Sequence, residues 1–163
     1  VSRAGGFDDQ LRPYPATEAG PKTSRELRVS ETATPSPVTA KLGFMKFVVG
    51  DLPTMLDFYG RALGLVVAQT IEADHFVEKI LRRPGETSGF SLILFHYKDG
   101  RKIQVGDGHG PLGLYVRDVD AAYAHAIAQG ATAQTEPYDT GAMRVAFVRD
   151  PEGRELELIS MKA

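Results

Sequence analysis

The residues best placed to do chemistry lie near the end of the chain, in FVRDPEGRELELIS from Phe147 to Ser160. After the turn residues Asp150, Pro151, Glu152 and Gly153, the run Arg154 to Ile159 alternates polar with apolar, the mark of a half-buried strand. Such a strand sends Leu156 and Leu158 to one face and Glu155, Glu157 and Ile159 to the other. Carboxylates on one face can ligate a metal, move a proton or simply meet water. Four histidines offer further donors. His75 sits in the polar stretch EADHFVEK, His96 alternates with Phe95 and Tyr97, His109 lies in the Gly-rich GDGHGPLG, and His125 falls on a helical segment. The chain has no cysteine, so it offers no disulfide, no thiolate nucleophile and no sulfur-ligated zinc. It also lacks a Gly-rich phosphate loop and a G-x-S-x-G motif, which leaves nucleotide binding and serine chemistry unsupported.

The elements that must position these groups form a weak internal repeat. FMKFVVGDLPTMLDFYGRALGL (44–65) and PLGLYVRDVDAAYAHAIAQGA (111–131) each run from an apolar strand to an Asp, then through a helix to a Gly. Leu52, Met55, Leu56, Tyr59, Ala62 and Leu63 give the first helix its apolar stripe. Val119, Ala122, Tyr123, Ala126 and Ile127 do so in the second, leaving His125 on the outer side. Asp51 and Asp118 are predicted N-caps rather than catalytic groups, and Gly64 and Gly130 the C-terminal stops. Strands are expected over 65–70, 89–97, 102–105, 131–135, 143–148 and 154–160, with a short helical turn in HFVEKILRRPGE. Strand, helix and strands, performed twice, indicate an α+β domain with helices on one face of each sheet.

With that plan in view, the sequence resembles the vicinal oxygen chelate superfamily, which includes glyoxalase I (lactoylglutathione lyase), bleomycin-resistance proteins, fosfomycin-resistance enzymes and extradiol dioxygenases. The resemblance rests on VVGDLPTMLDFYGRALGL, YVRDVDAAYAHAIAQGA and VAFVRDPEGRELELI, and covers about residues 42–161. It implies two βαβββ modules, about 41–106 and 107–163, curled as mixed sheet around a shared cavity. Residues 1–40 are rich in Pro, Thr, Ser, Glu and Gly and are expected to form an N-terminal extension, flexible or docked.

The resemblance also implies four metal-ligand positions. Carried onto this chain they fall at Phe44, Ile93, Pro111 and Glu157. Phenylalanine, isoleucine and proline side chains donate nothing, and a lone carboxylate holds a divalent ion weakly. The expectation is therefore no metal cofactor, with His109 the best rescue ligand for a displaced divalent metal. Strand alternation lines the implied cavity with Phe44, Lys46, Ile93, Phe95, Tyr97, Tyr115, Phe147, Glu155 and Glu157, an apolar and aromatic wall suited to a small molecule. Lys46 needs a partner there, and Glu157 is the expected one.

Three functions follow as expectations. One is metal-independent binding of a small, partly aromatic molecule. The second is a lyase or isomerase of glyoxalase type, with Glu157 as general base or a displaced metal. The third is an interaction module whose cavity is filled. Basic residues are scattered and the net charge is -2, so neither nucleic acid nor an anionic membrane is an expected partner. No apolar run approaches the roughly 20 residues needed to span a bilayer, and VSRAGGFDDQ lacks the apolar core of a signal peptide. The expected setting is cytoplasmic, and the resemblance implies a homodimer.

Overall fold

The computed structural model describes residues 41–162; the N-terminal extension, 1–40, lies outside the described residues. Two four-stranded mixed sheets are present, each backed by one helix. The first contains β1 (Phe44–Val48), β2 (Val66–Glu72), β3 (Phe76–Arg82) and β4 (Ser91–Tyr97), in the order β1-β4-β3-β2, with α1 (Leu52–Leu63) following β1. The second contains β5 (Leu112–Tyr115), β6 (Thr132–Thr140), β7 (Met143–Arg149) and β8 (Glu155–Met161), in the order β5-β8-β7-β6, with α2 (Val119–Ala128) following β5. In each sheet the first strand pairs parallel with the last, and the remaining pairs are antiparallel. The two modules thus share one topology, as the internal repeat predicts.

Both helices start at the expected N-caps and α1 stops at Gly64, whereas α2 is capped at Gln129, one residue before the expected Gly130. Asp51 accepts a hydrogen bond from the Thr54 N–H at 3.0 Å, and Asp118 accepts one from the Ala121 N–H at 3.0 Å. Gly64 takes the left-handed conformation at φ 65°, where a Cβ would be strained. Met55, Phe58 and Tyr59 of α1 are buried with Phe47, Val49, Leu92 and Leu94 of the first sheet. Ala126 of α2 and Val148 and Leu156 of the second sheet join the same core. Burying each such side chain contributes about 1.5–3 kcal/mol.

A polar network ties the modules together at the D-P-E-G turn. The buried Tyr59 hydroxyl donates to Asp150 Oδ2 at 2.9 Å. Glu152 accepts the N–H groups of Gly50 (2.8 Å) and Asp51 (2.7 Å), at the entry to α1. Buried Arg154 pairs with Glu152 at 2.9 Å and donates to the Val48 carbonyl. The turn's acidic residues therefore build the fold, since their acceptors are taken up by backbone and side-chain donors.

Two expectations need correction. HFVEKILRRPGE holds no helical turn: Phe76–Arg82 is strand β3, flanked by β2 and β4. An interior strand carries apolar residues on both faces, so Phe76, Val77, Ile80 and Leu81 imitate a helical stripe. Residues 102–105 form no strand. Ile103 instead packs beside Gly50, with its backbone outside both ladders.

Candidate functional site

The open face of the first sheet collects the residues expected there. Parallel pairing sets Phe44 beside Ser91, Lys46 beside Ile93 and Val48 beside Phe95. Antiparallel pairing then sets Ile80 beside Ile93, Glu78 beside Phe95 and Phe76 beside Tyr97. Neighbours in register share a face, so Phe44, Lys46, Ile93, Phe95 and Tyr97 lie together, away from α1. Phe76 and Phe95 stack at 4.9 Å, and Tyr97 meets Phe95 edge-on at 4.6 Å. Phe44 is 60% exposed, so this aromatic face is open to solvent in the single chain.

Lys46 is paired, but with a different carboxylate from the one expected. Its ammonium meets Glu78 on β3, and no ion pair joins it to Glu157 among the described residues. The side chain of Glu78 is 11% exposed against 37% for Lys46, so the cation is the solvent-facing member. The ammonium also lies 5.1 Å from the Phe95 ring centre and 6.0 Å from that of Phe44, within reach of cation–π attraction. Glu78 is hidden in the sequence because its segment has the apolar pattern of a helix, whereas it lies on strand β3. The signal available was a lone acidic residue in an apolar run, facing an equally isolated lysine.

On the second sheet, Tyr115, Phe147, Glu155 and Glu157 share a face by register with one another's neighbours. Glu155 accepts from Gln134 Nε2 at 2.7 Å and from Arg149 at 3.2 Å, so its carboxylate is engaged at the surface. Glu157 is half-buried between Gly113 and Phe147 and has no hydrogen-bond or ion-pair partner among the described residues. Tyr115 is 83% exposed. Among the described residues, no hydrogen bond, ion pair or ring contact joins this set to the set on the first sheet.

The histidines sort by their partners. His96 turns from the aromatic face, its Nδ1 within 3.0 Å of the Val49 carbonyl. His125 bonds the Arg61 carbonyl through Nε2 at 2.7 Å, linking α2 to the end of α1. His75 stands edge-on to Phe76 at 4.9 Å. His109 is exposed, with Nδ1 within 3.0 Å of the Gly110 carbonyl, and shares a hollow with Asp107, Arg149 and Glu155 rather than with Glu157. A larger hollow of about 520 Å³ lies between the modules, lined by Leu63, Leu81, Phe90, Leu114 and Tyr115 among others. It excludes Lys46, Glu78 and Glu157, and the arginines on its rim already serve Ser91, Thr87 and Glu86.

The donor chemistry does not fit the family's metal. Phe44, Ile93 and Pro111 offer no lone pair, and no group of three or more His, Asp or Glu side chains converges among the described residues.

The paired βαβββ modules agree with the sequence: residues 41–158 match the Glyoxalase/Bleomycin resistance protein/Dioxygenase superfamily, to which this chain belongs. Among curated relatives, a lactoylglutathione lyase of Neisseria meningitidis is 29% identical over 119 residues, covering 71% of this chain and 86% of the relative. A lactoylglutathione lyase of Escherichia coli O157:H7 is 30% identical over 118 residues, covering 70% and 87%. Among solved structures, glyoxalase I from Zea mays superposes with a TM-score of 0.68 at 22% identity, over 76% of this chain and 45% of the maize chain. The chain thus spans under half the length of that maize enzyme. The trypanothione-dependent glyoxalase I of Leishmania major gives 0.65 at 24% identity, over 76% of this chain and 87% of the other. No helix among the described residues is long and apolar enough to cross a membrane.

Proposed function

We propose that this protein binds a small, partly aromatic molecule without a metal, on the face built by Phe44, Lys46, Ile93, Phe95 and Tyr97. One observation carries the reading: an ion pair, Lys46 with Glu78, stands among aromatic rings beside the donorless Ile93. A cation fixed on the protein takes over the electrostatic role that a metal would have, and the rings supply a stacking surface. Metal analysis of protein purified without added metal, paired with native mass spectrometry, tests it. The expected result is a retained organic molecule with substoichiometric metal; stoichiometric metal and no organic ligand would reject the reading.

A second reading is favoured by Glu157, a half-buried carboxylate with no hydrogen-bond partner among the described residues. In a lyase or isomerase of glyoxalase type it would serve as the general base, taking a proton from carbon next to a carbonyl. The relatives' activity supplies the assay. Turnover of the hemithioacetal of methylglyoxal and glutathione is expected to be absent or very low; robust turnover that survives a chelator would favour Glu157 as the base, and chelator-sensitive turnover would show a metal at work and overturn the reading of the metal positions.

The exposure of Tyr115 further supports a homodimer in which a second copy covers that part of the second sheet. Light scattering would show a mass of twice the chain, and a monomer at assay concentration would remove the idea.

A further inference from the structure

Resting on the binding reading above, we infer that the ligand is a planar aromatic molecule bearing an anionic group, and that Lys46 receives that group. A lysine ammonium has three donors. Glu78 takes one, and Nζ has no other hydrogen-bond acceptor among the described residues. The remaining donors point from the more exposed member of the pair, with the carboxylate hidden beneath it. A ligand arriving from solvent therefore meets positive charge first.

The surroundings narrow the class further. Phe44 and Phe95 flank the ammonium, and the stacked Phe76 and edge-on Tyr97 extend the aromatic surface beyond it. A ring laid on this surface would stack in offset or edge-to-face geometry. At the far end a second cation covers Tyr97: the Arg101 guanidinium lies 3.7 Å from the ring centre, held in place by Asp99. A cationic ligand would have to approach both Lys46 and Arg101, whose own charge already occupies the ring faces that attract cations. An uncharged ring would gain the stacking and leave the ammonium donors to water. An aromatic carboxylate or phenolate uses both features at once, through charge-assisted hydrogen bonds and stacking.

Three probes of one shape separate these cases: 2-naphthoate, 2-naphthalenemethanol and 2-naphthylmethylammonium, titrated into the full chain. The chain contains no tryptophan, so naphthalene emission can be followed with little protein background. The expected result is that naphthoate binds about tenfold tighter than the alcohol, the ammonium probe weakest. Lys46→Met should abolish that preference while the alcohol still binds, and Glu78→Gln should tighten naphthoate by removing the competing carboxylate. Equal binding of naphthoate and alcohol by the unmodified chain would overturn the anion inference and leave an aromatic site standing. Failure of all three to bind would bring down the aromatic site as well.

Discussion

Lys46 and Glu78 are unequal partners, and substitution should expose the inequality. Removing the lysine strands a carboxylate that is nearly buried, whereas removing the glutamate's charge leaves an ammonium that can still reach water. Lys46→Met should cost about 1–3 kcal/mol of stability and Glu78→Gln less than about 1. Urea midpoints for the two variants would check this, and a larger loss for Glu78→Gln would contradict the assigned burial. Tyr59 makes a second prediction at this scale. Burial, and then the adjacent Asp150 carboxylate, push its hydroxyl well above the ordinary tyrosine range. A raised pKa means that the unfolded chain releases this proton first. The stability it contributes is fully present below about pH 10 and lost as pH rises beyond it. The urea midpoint of the native chain should therefore fall more steeply between pH 9 and 11, in order-of-magnitude terms, than that of Tyr59→Phe. Parallel slopes would contradict the role given to this hydroxyl.

Among the elements, the D-P-E-G turn reaches furthest from its own position in the chain. Glu152 accepts two backbone donors at the start of α1 and holds Arg154. Glu152→Ala should cost about 1–2 kcal/mol, because those donors lose a charged acceptor and Arg154 loses a partner. Calorimetry would read this as a fall in Tm; no change would mean that water replaces the carboxylate freely. The same turn shows how much was legible in the sequence. Asp51, Asp118 and Gly64 announce the helix ends through local rules that need no tertiary knowledge. The alternation of Arg154 to Ile159 likewise marks β8 as a strand with one covered face. Strand β3 hides because both its faces are covered, so period two disappears from its pattern. Glu78 is hidden with it, so the sequence points Lys46 to Glu157 on the second sheet, whereas its partner lies on β3 of its own sheet. Phe44, Ile93, Phe95 and Tyr97 are legible as one face, because each of β1 and β4 alternates inward and outward residues and the resemblance implies which side is inward.

Across the whole molecule, the fold keeps the architecture of its superfamily. At the positions that the resemblance assigns to the metal, Phe44, Ile93 and Pro111 have no donor side chain, and Glu157 is a carboxylate facing Gly113 and Phe147. The proposed function requires that this chain work without a metal at that place. The most direct measurement is native mass spectrometry of chelated, dialysed protein after exposure to zinc, nickel or manganese. The expected result is no stoichiometric retention of any of the three, in the native chain or in Glu157→Gln. Stoichiometric retention by the native chain that Glu157→Gln abolishes would contradict it.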